Sequence, residues 1–172
     1  MRLRIAVAVA ALVAVVVAVV AVVAAGGLSA AADSGKKFSA TLTGYEEVPT
    51  LSVAGTGTFS AELAKDRSSI SYSLSYSGLS GDASFAHIHL GQPAIAGGVV
   101  AFLCGGGDKP VCPGASGTVT GTIVAADVVG PAGQGIAAGE FAELVTAMQF
   151  GATYANVHTA LFPSGEIRGQ IS

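Results

Sequence analysis

The sequence predicts an all-β fold, an antiparallel Greek-key sandwich or barrel with one short helix near residues 137–149. Three observations carry that prediction. Apolar and polar residues alternate with period two, most clearly in "SISYSLSYSGL", where serines separate Ile70, Tyr72, Leu74 and Tyr76; this pattern belongs to strands with one face on a core and one in water. Glycine-bearing stretches such as "GQPAIAGG" interrupt the runs as turns. A single segment, "AAGEFAELVTAMQFG", shifts to helical spacing, with Phe141, Leu144, Val145 and Met148 on one side and Gly151 beyond the end.

In chain order, residues 1–32 come first. Arg2 and Arg4 precede a run from Ile5 to Ala32 that carries no charge, and Ala30, Ala31 and Ala32 supply the small residues of a cleavage site before Asp33. This is the pattern of a secretory signal peptide. The run is also long enough for an uncleaved N-terminal membrane anchor. Both readings place residues 33–172 outside the cytoplasm as one β domain, secreted or held at the surface. The membrane is a partner only if the segment is kept.

The strands follow. "FSATLTG" sets Phe38, Ala40 and Leu42 on one face, and "GTGTFSAEL" does the same for Phe59, Ala61 and Leu63. The charged turn "AKDRSS" joins the second strand to "SISYSLSYSGL" as a hairpin. "SFAHIHL" comes next. "VVAFLC" is continuously apolar, which points to the middle of the sheet. "SGTVTGTIV" precedes the helix, and "TYANVHTALF" and "EIRGQIS", joined by "PSG", read as a closing hairpin.

Charge narrows the function. The chain has eight Lys and Arg against eleven Asp and Glu, and two of the eight, Arg2 and Arg4, lie in the leader. The rest are scattered, so there is no basic stripe for phosphates and nucleic acid is excluded as a partner. No protein partner is indicated. Cys104 and Cys112, in "CGGGDKPVC", read as a disulfide, since the chain is exported and the spacing fits no zinc motif. Closing so short a loop stabilises by about 2–3 kcal/mol.

The chain has three histidines. His87 and His89 are two apart, so in a strand they share a face with Phe85, their Cα atoms about 6.6 Å apart. In "YANVHT", Asn156, His158 and Ala160 share a face. Three neutral imidazoles suit copper or zinc and leave a coordination position open. Structural histidines, hydrogen-bonded to backbone in a non-catalytic interaction or surface module, would give the same pattern. Glu46 and Glu47 are adjacent, so in a strand they point to opposite faces, and they read as a solvated turn or an edge feature rather than a catalytic pair. Asp108 and Lys109 read as a solvated loop tip. Glu166 and Arg168 share a strand face and read as a cross-strand ion pair. No general acid or base stands beside the histidines, and no catalytic residue is assigned.

"FSATLTGYEEVPT", "AHIHLG", "YANVHT" and "PSGEIRGQIS", in this order, resemble the CHRD domain, named after chordin, over about Lys37 to Ser172. The resemblance implies an all-β, extracellular or surface domain without a defined molecular activity. It marks His87, His89, Asn156, His158, Glu166 and Arg168 as family-motif positions. Chordin's growth-factor binding is attributed to separate cysteine-rich modules, which a chain with two cysteines lacks. The histidine pattern is also faintly similar to that of copper/zinc superoxide dismutases. No histidine remains for a zinc subsite, so that likeness implies at most one copper or zinc ion.

Overall fold

Period-two patterning becomes strand wherever it occurs. The structure, a computed structural model, describes residues 35–172. The signal peptide or anchor read over residues 1–32 lies outside them. Among the described residues no helix is long and apolar enough to cross a membrane.

Eight strands form one sheet: β1 (Lys37–Thr43), β2 (Thr56–Leu63), β3 (Ile70–Ser77), β4 (Ala83–Leu90), β5 (Val99–Cys104), β6 (Gly117–Ile123), β7 (Thr153–Thr159) and β8 (Ile167–Gln170), with one helix, α1 (Phe141–Gln149), between β6 and β7. Strand order is β5-β4-β7-β8-β1-β2-β3-β6, all pairs antiparallel. The end strands β5 and β6 approach each other, and the Tyr72 hydroxyl donates to Leu103 O across that seam at 2.7 Å. The sheet is thus a nearly closed barrel, which removes most of its free edge. After β6 the chain runs through α1 and returns to pair β7 with β4, a Greek-key return. The β2–β3 and β7–β8 hairpins are both present.

The core follows the alternation. Phe38, Leu42, Phe59, Leu63, Ile70, Leu74, Val119 and Ile123 point inward, joined by Ile88, Val157, Ile167 and the α1 side chains Phe141, Leu144, Val145 and Met148. Each large apolar side chain so buried contributes about 1.5–3 kcal/mol. The helix starts at Phe141 rather than 137 because Gly139 takes a left-handed φ of 86°, and it ends at Gln149, two residues before Gly151, φ 64°.

One strand is placed differently from the sequence reading. β5 is an end of the hydrogen-bonded order, not its middle. Its apolar run has another cause. Val128 bridges to Ala101, and the Val129 N–H donates to Val100 O at 2.8 Å, so the loop after β6 covers this edge. Cys104 and Cys112 form the expected disulfide, Cα atoms 5.0 Å apart. Lys109, read as a solvated tip, is half-buried instead, its side chain 8% exposed. Its ammonium lies 2.9 Å from Asp127 and 3.0 Å from Asp108, and donates to Thr122 O.

Candidate metal centre

β4 and β7 are neighbours, and their register decides the site. Phe85 pairs with His158, His87 with Asn156 and His89 with Tyr154. The histidines therefore share one outward face across two strands. Bulges in the β4–β5 pairing lie between Ala86 and His87 and between Ile88 and His89. Bulges add local twist and re-aim side chains. The three rings converge, with centroids of His87 and His158 4.8 Å apart and of His87 and His89 5.3 Å apart.

Two loops cover this face and fix the rings. His89 Nδ1 lies 2.9 Å from Gly97 O, and His158 Nδ1 lies 3.1 Å from Pro163 O. A carbonyl only accepts, so both Nδ1 atoms carry the proton and both Nε2 atoms keep a lone pair. His87 Nδ1 lies 3.1 Å from His158 Nε2. Among the described residues the buried His89 Nε2 has no hydrogen-bond partner. One nitrogen from each ring falls within 4.8 Å of the others. Two nitrogens held by one ion at about 2.0–2.1 Å sit about 3–4 Å apart. The His87–His158 pair already matches that separation.

Burial keeps the rings uncharged. It pushes His87 down to about 3, helped by the other two histidines. It pushes His89 down to about 4 against the Gly97 carbonyl bond, and lowers His158 against the Pro163 carbonyl. Neutral imidazoles are the form that binds metal.

The surroundings are aromatic, then polar. Phe102 meets His87 edge-on at 4.6 Å and Phe85 stacks on it at 5.9 Å. Tyr154 stacks on His89 at 4.8 Å, and the Arg168 guanidinium lies 3.4 Å from the centre of the Tyr154 ring. Arg168 also donates to Gln92 O at 2.9 Å. Asn156, beside His87 in register, donates to Glu47 Oε1 at 2.6 Å and to Ile167 O at 2.8 Å.

Two sequence readings change here. Glu166 and Arg168 do not pair with each other among the described residues. Glu166 precedes β8, where it accepts from Ser80 N–H at 2.6 Å and from the Thr159 hydroxyl at 2.7 Å, while Arg168 reaches Tyr154 and Gln92. Glu47 is not in a solvated turn. It is buried against Asn156, and desolvation raises its carboxyl above the usual range despite Asn156, Arg168 and the Val48 N–H. Its neighbour Glu46 is exposed, and adjacency in sequence carries no signal for that difference.

No curated protein and no solved structure matches the chain. The CHRD domain family model matches residues 38–171. That span holds every strand but the first residue of β1, both loops over the histidines and the residues beneath them, and on it the chain belongs to the CHRD domain family.

Proposed function

We propose that this is an exported CHRD domain that binds one transition-metal ion, copper or zinc, through His87, His89 and His158. The observation that carries the reading is the set of lone pairs. Backbone carbonyls hold the Nδ1 protons of His89 and His158, which frees their Nε2 atoms; His158 Nε2 lies 3.1 Å from His87 Nδ1, and one nitrogen from each ring falls within 4.8 Å of the others. Outer hydrogen bonds of this kind orient metal-ligating imidazoles and raise their basicity. Without an ion, the His87 Nδ1–H donates to His158 Nε2; for an ion to take that place His87 shifts to its other neutral tautomer, with the proton on Nε2 and the Nδ1 lone pair free. Export is supported by the disulfide, which fits an oxidising compartment, and by the basic and apolar pattern of residues 1–32.

The test is metal analysis of tag-free protein after copper or zinc loading and desalting. One ion per chain is expected, and less than a tenth in His87→Ala/His89→Ala/His158→Ala. Equal metal in both proteins, or none in either, overturns the reading. A second reading, a non-catalytic interaction module with structural histidines, draws on the same carbonyl bonds, since these also pin the two loops. It predicts that added metal leaves the unfolding midpoint of the wild-type chain unchanged.

A further inference from the structure

Three neutral imidazoles leave a divalent ion's charge uncompensated. No Asp or Glu oxygen joins the group of ligand atoms among the described residues. Glu47, whose carboxylate reaches this face at Asn156, is engaged by that side chain. Glu166 is committed to Ser80 and Thr159. On the opposite side of the balance stands Arg168, 2% exposed, stacked on the far side of the Tyr154 ring that packs on His89. Its hydrogen bond goes to a neutral carbonyl, Gln92 O. Arg168 offsets Glu47, Glu166 is bonded elsewhere, and no carboxylate among the ligands meets the ion's own charge. A buried charge without a counter-ion is costly, and a three-ligand ion has a position to fill.

We infer that the centre, once it holds its ion, takes a small inorganic anion as its remaining ligand, with Arg168 as a positioning residue that raises anion affinity through the field. This rests on the metal reading above. Size selection comes from the walls. Each histidine is only 7–8% exposed, and Phe85 and Phe102 pack against His87. So crowded a position suits an anion of two or three atoms better than a bulky carboxylate. Arg168 does not reach the anion. It acts across one aromatic ring, where an effective dielectric typical of proteins still leaves about a tenfold effect on binding.

The experiment uses the full domain loaded with copper(II), titrated with azide and followed by ligand-to-metal charge-transfer absorption and electron paramagnetic resonance. Saturable azide binding is expected, with citrate failing to compete. Arg168→Met should weaken azide about tenfold and Arg168→Lys should restore most of it. Stoichiometric copper whose spectra ignore azide overturns the anion inference alone. Absence of copper overturns the metal reading and this inference with it. Unchanged azide affinity in Arg168→Met removes Arg168 from the proposal. If that variant does not fold, the wild-type titration still decides whether an anion binds.

Discussion

The barrel has two halves that obey the same strand periodicity and end with opposite surfaces. On β1, β2, β3 and β6 the outward residues include Ser39, Thr41, Thr58, Ser60, Ser71, Ser73, Ser75, Thr118 and Thr120, open to water or at most half-buried. On β4, β7 and β8 the outward residues include His87, His89, Tyr154, Asn156, His158 and Arg168, and all are buried. The difference lies in what covers them. Among the described residues no loop bonds to those serine and threonine side chains of β1, β2, β3 and β6. The second carries the chain around Gly97, which bonds His89, the chain around Pro163, which bonds His158, and Glu47, which bonds Asn156. Alternation assigns a side chain to a face; the connecting loops decide whether that face is wet.

If so, perturbing the cover should cost far more than perturbing the open half. Gly165 gives the largest effect. Its φ is 127°, and a Cβ there would sit 2.6 Å from both Asn156 Nδ2 and Glu47 Oε1. Gly165→Ala therefore combines backbone strain with a clash, for a loss of about 3–4 kcal/mol in urea unfolding. A loss under 1 kcal/mol would mean that the loop yields freely and the cover is not rigid.

Acid should discriminate between the halves as well. His87 and His89 titrate at about 3 and about 4 in the folded domain against an ordinary 6.5. The unfolded chain binds the protons first, so stability is fully present above pH 6.5 and is lost as pH falls from there towards those values. Glu47, raised by burial, works in the opposite sense as pH climbs past its ordinary 4.5. For the metal-free domain each ring contributes a loss of about 3 kcal/mol between pH 6.5 and 4. The His87→Phe/His89→Phe variant should lose most of this dependence in urea titrations at the two pH values. An unchanged slope would place the acid sensitivity elsewhere.

Legibility in the sequence followed the same division. The strands, the helix, both hairpins and the disulfide were readable because period two, helical spacing and paired cysteines are local signals. So was the common face of His87 and His89. That His158 would join them rested on residue chemistry, since strand order is a long-range fact. Cover was not readable at all. Glu47 looked solvated beside Glu46, and Lys109 looked like a loop tip, because each is covered by chain distant in sequence, near Asn156 in one case and Asp127 in the other. β5 was misplaced for the same reason, its apolar edge being closed by Val128 and Val129.

The smallest predicted effect is the sharpest comparison, because one kind of atom is removed from each half. Thr159 is 1% exposed and its hydroxyl donates to Glu166 Oε2 at 2.7 Å. Thr159→Val preserves shape and leaves a buried carboxylate oxygen short of a donor, a loss of about 2 kcal/mol. Ser73 sits between Ser60 and Thr120 on the outward face of the open half. Water replaces whatever its hydroxyl gives up, so Ser73→Ala should stay within about 0.5 kcal/mol of wild type. Unfolding midpoints of the two variants at pH 7 give the difference directly. Equal losses would show that Glu166 finds another donor once the Thr159 hydroxyl is gone, and the buried end of β7 would then be no drier than the open face around Ser73.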